Sequence, residues 1–312
     1  MSTCATASRA LAEPLTGTAA TARTWLLVEQ PGPWGRKALT QSRLDPGLGQ
    51  ALDAAASAHG ARVALIRRPG RHADHSPPAG HRVFLARTVP GASWVLTARL
   101  SGDGGLEALR AVDFAAFDGP APPASGAASG PCWEPYEGSP LALVCTNGKR
   151  DRCCALLGRP LAAELAATGS ANVWEITHLG GHRFAPTLLV LPHGYAYGRL
   201  DAAGVKSVLD AVRDGQVSLE GCRGRSAWDR PGQAADLAVR ELTGELRADA
   251  VSVLAVRPDP DGQRRIVTVA HADGRRWRVV LRERAQGPAV PASCGAEPAD
   301  PVRLDVEALE EM

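Results

Sequence analysis

An α/β protein is predicted, built from two tandem units and a smaller α+β appendage, and three observations predict it. One order of elements, strand–loop–helix–strand, then a hairpin, then a helix, is read in residues 24–120 and again in residues 132–230. Between them, residues 121–131 (APPASGAASGP) form a Pro/Ala/Ser/Gly linker. From residue 231 onward, one helix is followed by three strand-like runs.

In the first unit, Trp25–Glu29 is a short apolar run ended by Gln30-Pro31-Gly32-Pro33. Asp45–Gly60 has helical spacing, with Leu48, Leu52 and Ala55 on one face and Gly60 as a stop. Ala61–Ile66 reads as a strand, Val83–Arg87 and Trp94–Leu100 as a hairpin around Pro90-Gly91, and Gly105–Phe114 as a helix. In the second unit, Leu141–Cys145 is a strand and Arg150–Thr168 is helical, with a break at Pro160. Asn172–Thr177 is a strand, Thr187–Leu191 and Tyr195–Leu200 pair around His193-Gly194, and Ala202–Arg213 closes the unit. This β-α-β…β-β-α order is the one a thioredoxin-like fold requires. The fold class expected is therefore tandem thioredoxin-like domains, each a mixed sheet flanked by helices. The appendage, residues 231–312, begins with a helix at Gln233–Leu242 and continues with Val251–Arg257, Arg265–His271 and Arg276–Arg282 across two Asp-Gly turns. Its last residues, Arg303–Glu311, read as polar and acidic, and residues 1–23 as a flexible tail.

Composition removes several functions. Apolar residues make up 45% of the chain, enough for packed cores. A net charge of +2 argues against a nucleic-acid binder, and no apolar run suits a membrane helix. No export signal is read in the N-terminal residues, so a cytoplasmic location is expected, where seven cysteines are better metal ligands or redox groups than disulfides. A Rossmann glycine fingerprint, a Walker loop and a Cys-x-x-Cys pair are all missing. No carboxylate pair near the main motif supports glycoside hydrolysis, and an electron carrier is expected rather than an enzyme.

The chemistry is concentrated in Cys145-Thr-Asn-Gly-Lys-Arg-Asp-Arg-Cys153-Cys154 and in His178-Leu-Gly-Gly-His182. Cys145 ends a strand and Cys154 enters the next helix, where the helix dipole and Lys149, Arg150 and Arg152 lower thiol pKa values. Gly180-Gly181 lets the backbone fold tightly between the two imidazoles. Two Cys and two His form a complete ligand set for tetrahedral zinc, or for a [2Fe–2S] cluster, which suits ligands from separated loops better. Arg150 and Arg183 are candidate charges beside the site. Cys153 is read as a non-ligand, Cys4, Cys222 and Cys294 as incidental thiols, and Cys132, thirteen positions before Cys145, as a thiol outside the site. His72, His75 and His81 read as an exposed loop, and Trp34 and Trp133 as packing residues.

The Cys-x8-Cys…His-x-Gly-Gly-His pattern resembles that of the sucrase/ferredoxin-like family. Asn147–Asp151, His182–Pro186, Leu191–Gly194, Tyr197–Arg199, Glu29–Gly35 and Arg223–Ser226 resemble family positions as well. Asn147 departs from the pattern, standing where a histidine is common. The resemblance implies a [2Fe–2S] cluster with Cys145 and Cys154 on the ferric iron and His178 and His182 on the reducible iron. It implies one-electron transfer at a pH-dependent potential, between a flavin- or ferredoxin-reductase-type donor and an unknown acceptor. The competing expectation is a zinc-stabilised binding module using the same four ligands.

Overall fold

The computed structural model describes residues 3–70, 80–117, 119, 121–122, 130–169 and 172–312. Its first half contains α1 (Cys4–Ala10), β1 (Thr24–Glu29), α2 (Pro46–Ala58), β2 (Ala61–Arg67), β3 (His81–Arg87), β4 (Trp94–Leu100) and the short α3 (Gly102–Gly105). The second half contains β5 (Glu134–Pro135), β6 (Leu141–Cys145), α4 (Arg159–Ala167), β7 (Asn172–Ile176), β8 (Thr187–Leu191), β9 (Tyr195–Gly198), α5 (Ala202–Arg213) and β10 (Cys222–Arg225). The appendage contains α6 (Arg230–Thr243), β11 (Val251–Pro258), β12 (Arg264–His271), β13 (Arg276–Ala285), β14 (Val290–Pro291), β15 (Pro298–Ala299) and β16 (Val302–Glu311).

The expected mixed α/β architecture is present, and the two halves repeat one pairing pattern. β1 runs parallel to β2 and antiparallel to β3, which pairs β4. In the same way β6 runs parallel to β7 and antiparallel to β8, which pairs β9. The linker does not break the sheet, however. All ten strands form one sheet in the order β10-β9-β8-β6-β7-β2-β1-β3-β4-β5. The halves join where β2 meets β7 antiparallel, through Ile66 opposite Ile176 and Arg67 opposite Glu175. β5, which follows the linker, returns to pair with β4. Two open strand edges would each leave a row of unpaired backbone groups, and the β2–β7 pairing joins the two edges over their last residues.

Local chemistry accounts for the elements. Asp45 caps α2 by accepting from the Leu48 N–H at 2.7 Å, and Leu48, Leu52 and Ala56, rather than Ala55, face the core. The helix expected over Gly105–Phe114 is instead a pair of 3₁₀ turns, Leu106–Ala111 and Phe114–Phe117, that bury both phenylalanines. Trp34 and Trp133 pack into this first-half core, as expected. Of the histidine loop, His72 and His75 lie outside the described residues. His81 is buried on β3 with Nδ1 2.7 Å from the Glu29 carbonyl.

The termini correct two expectations. Residues expected as a flexible tail include α1, which buries Cys4, Ala5 and Ser8, and the buried Glu13, which accepts from Ser8 Oγ at 2.7 Å. Small residues on one face let this helix press against the turn at His182–Phe184. The acidic C-terminal run is a full strand: β16 pairs with β13, and its acidic side chains meet arginines, as in Arg264 Nε to Glu307 Oε2 at 2.6 Å.

Candidate metal centre

The site is the corner where β6 ends. Burial of Leu141, Ala142, Leu143 and Val144 fixes the strand and delivers Cys145, itself buried, to its end. The chain then turns through Asn147–Arg150 and re-enters helix at Arg152, running as a π-turn over Cys154–Gly158 before α4 begins. Pro160 sits in the first turn of α4, where a missing N–H costs nothing. A β-carbon on Gly158 would overlap the carbonyl oxygen of Cys145. Only glycine lets this helix press onto the strand end and hold Cys154 beside Cys145.

The second pair of ligand candidates comes from the loop after β7. Gly180 and Gly181 have φ of +83° and +72°, left-handed values that favour glycine, and they fold His182 back beneath His178. The two imidazole rings stack with centroids 4.5 Å apart. Cys154 Sγ lies 3.2 Å from His182 Nδ1. Cys145 and His178 border the same corner, but the metal-ligand atoms that fall within 4.8 Å of one another there are those of Cys154, His182 and Asp151.

The donor chemistry is that of a metal site. The Cys154 hydrogen bond draws the Cys145 pKa down, helped by the backbone N–H groups of Leu179 and Asn147. Giving that hydrogen bond, and burial, hold the proton on Cys154. Burial and then His182 and Arg150 push His178 down to about 3. Burial likewise lowers His182, opposed by Asp151. Both rings are thus neutral near pH 7, with lone pairs free for a metal. His178 Nδ1 is buried without a hydrogen-bond partner, as a nitrogen awaiting a ligand would be. These residues fit a metal or cluster held by two thiolates and two imidazoles.

Surrounding residues fasten the ligands. Arg62 of β2 donates to the His178 carbonyl at 3.3 Å, and Asn147 Nδ2 donates to the Gly35 carbonyl at 3.1 Å. Arg67 Nε donates to Glu175 Oε2 at 2.7 Å in a pair with both side chains under one-tenth exposed. Thr146 Oγ1 donates to the same carboxylate oxygen at 2.9 Å. Of the two expected charges, Arg183 is engaged by the buried Glu13 at 2.6 Å and lies over the Phe184 ring. Half-buried Arg150 acts on both imidazoles through its charge.

In the sequence Arg223 stands only within Arg223–Ser226, a stretch that resembles family positions, with no role at the site assigned to it. Its side chain is fully buried on β10, fills the space a β-carbon on Gly181 would take, and donates to the Gly180 carbonyl at 3.1 Å and to Thr18 Oγ1 at 3.1 Å. Burial, then Arg183, lower its pKa to about 10, while Cys145 and Cys154 oppose that fall. β10 reads Cys-Arg-Gly-Arg, and two arginines around a glycine inside a strand are the signal that could have marked it.

All seven cysteines are free thiols. Cys132 is exposed and joins no group of metal-ligating side chains among the described residues. Cys222 is buried in the second-half core, where burial raises its pKa to about 12. Cys4 and Cys294, expected as incidental thiols, are brought together with Cys153 and Asp151 instead.

A family model described as sucrase/ferredoxin-like matches residues 15–224. The chain belongs to that family. No curated protein and no solved structure matches it. In this sucrase/ferredoxin-like chain the matched region contains all four ligand candidates together with Arg223, but neither Cys4 nor Cys294. Among the described residues, no helix is long and apolar enough to cross a membrane.

Proposed function

We propose that this chain is a one-electron carrier whose [2Fe–2S] cluster is held by Cys145 and Cys154 on one iron and His178 and His182 on the other, in a thioredoxin-like unit. The observation that carries the reading is the meeting of two buried thiols and two neutral imidazoles, drawn from two separate loops, at one sheet corner. Membership of a family described as ferredoxin-like supports it. When bound, such a cluster takes up and releases a single electron, at a potential raised by the histidines above that of all-cysteine clusters.

The chain's own residues do the rest. Backbone N–H groups of Leu179 and Asn147 stabilise the Cys145 thiolate. Arg223, buried, and Arg150, half-buried, offset the negative charge that two thiolates bring into the interior. Leu179, Phe184 and Ala185 keep water from the inner side of the site. His178 is the least buried of the four and borders a groove lined by Arg36, Lys37, Arg62 and Arg150. Electrons pass at this edge, and the basic groove suits the acidic face of a redox partner. The donor is a reductase of the flavin or ferredoxin-reductase type, and the acceptor a second redox protein.

One observation favours a second reading, a zinc-stabilised binding module. The 3.2 Å approach of Cys154 Sγ to His182 Nδ1 suits ligands sharing one ion. Full-length protein purified without air separates the two. A coloured protein with two irons and two acid-labile sulfides per chain, bleached by dithionite, is expected. A colourless protein with zinc bound by two sulfurs and two nitrogens overturns the electron-transfer reading.

A further inference from the structure

A second ligand cluster stands on the other side of Asp151. Cys4 Sγ lies 3.4 Å from Cys153 Sγ and 3.6 Å from Cys294 Sγ, and Cys153 Sγ lies 3.3 Å from Cys294 Sγ. The two carboxylate oxygens of Asp151 are 3.9 and 3.8 Å from Cys4 Sγ. One ligand atom from each of the four residues falls within 4.8 Å of all the others. Cys4, Cys153 and Asp151 are buried, and Cys294 is partly so.

We propose that Cys4, Cys153, Cys294 and Asp151 form a structural zinc site, separate from the Cys145/Cys154/His178/His182 centre. A zinc–sulfur bond of about 2.3 Å in a tetrahedron places sulfurs about 3.8 Å apart, and an oxygen ligand about 3.5 Å from each sulfur. The triangle of thiols is a few tenths of an ångström tighter than that, and the carboxylate slightly wider. One ion fits with small side-chain movements.

The carboxylate is already held in place. Asp151 Oδ1 accepts the Cys153 N–H at 2.8 Å, and Oδ2 accepts the Cys294 N–H at 2.8 Å. Each oxygen keeps a lone pair for a metal, and the two hydrogen bonds fix the carboxylate between the ligand segments. Ala5 and Ala185 pack beside the thiols and exclude water. Binding is written Zn²⁺ plus three thiols giving a zinc tris-thiolate carboxylate and three released protons, with no change of oxidation state. Four donors fill the tetrahedron, so the site is closed and structural.

The three cysteines come from places the chain otherwise has little reason to join. Cys4 opens α1, Cys153 precedes the redox-site ligand Cys154, and Cys294 lies between β14 and β15. One ion therefore clasps the N-terminal helix and the appendage onto the helix start that carries Cys154. Two of its four ligands, Cys4 and Cys294, come from outside the part of the chain matched by the family model.

The test is elemental analysis and zinc-edge X-ray absorption on full-length protein purified from medium containing both metals. One zinc per chain in a shell of three sulfurs and one oxygen is expected. The C4S/C294S variant should lose that zinc and keep its iron, whereas H178A/H182A should lose iron and keep the zinc. Should C4S/C294S not fold, cobalt added to metal-stripped H178A/H182A should give the thiolate charge-transfer bands of a tetrahedral site, at one equivalent. Absence of zinc, zinc retained in C4S/C294S, or a disulfide among the three cysteines would each overturn the proposal. Zinc in a two-sulfur, two-nitrogen shell overturns the cluster reading of the main site instead, and with no second zinc it overturns both.

Discussion

The two halves of the sheet pair their strands identically and use their corresponding corners differently. In the first half, β1 ends at Glu29 and α2 starts at Pro46, and the long loop between them contributes Trp34 to the core. In the second half, β6 ends at Cys145, helix resumes within seven residues, and Cys154 is already in it. The first corner carries no thiol and the second concentrates the chemistry. What the first half supplies is support, since Arg62, Gly35 and Arg67 each hold a residue of the second-half site or its neighbour. A repeated fold thus separates the candidate ligands from the residues that position them. Each half keeps its backbone, and only one carries the candidate ligands.

Breaking the ligand side has the largest expected effect. Cys154→Ser should abolish iron binding, read as loss of visible colour and of iron in elemental analysis, because a thiolate is removed that nearby Cys153 cannot replace. The support side comes next. Arg67→Met leaves Glu175 buried without its cation, and denaturant unfolding should show a loss of about 3 kcal/mol. Retention of full stability would mean that the contact between halves is incidental.

A matched pair of glycines sharpens the comparison. A β-carbon on Gly158 would overlap the Cys145 carbonyl, and one on Gly49 of α2 would overlap the Leu39 carbonyl. Alanine at either position should cost about 2 kcal/mol. Only Gly158→Ala should also lower metal occupancy, because only that helix carries a ligand.

The smallest effect concerns the β8–β9 turn. Burial, then Arg225, lower the pKa of His193 to about 4. The folded chain therefore resists protonation where the unfolded chain accepts it, so stability is lost as pH falls from the ordinary histidine value toward 4. The loss between pH 7 and pH 5 should be about 1.5 kcal/mol larger in the native chain than in His193→Gln. Equal slopes in denaturant titrations at the two pH values would sink this assignment.

Much of this was legible in the sequence because it is local. Alternating and helical apolar spacing placed the strands and helices of both halves, and the spacing of Cys145, Cys154, His178 and His182 placed four residues on two adjoining loops. Long-range closure was not legible. Cys4 and Cys294 are 290 residues apart, and nothing in either neighbourhood specifies the other. The β2–β7 junction rests on two residue pairs, too few to leave a pattern. β16 was masked by charge. Its Val302, Leu304 and Val306 do alternate, but the charged residues beside them, Asp305 and Glu307 among them, read as a solvated end until arginines of neighbouring strands pair with them. Arg223 stands in a stretch that resembles family positions, and nothing there points to the glycine turn whose space it fills.

The central claim, that two thiolates and two imidazoles of the second-half corner hold one redox cluster, is tested most directly by pulsed electron paramagnetic resonance on dithionite-reduced full-length protein. The account predicts couplings from two distinct imidazole nitrogens, one lost in His178→Cys and the other in His182→Cys. A reduced protein with no paramagnetic signal, or a signal lacking nitrogen coupling, would contradict it.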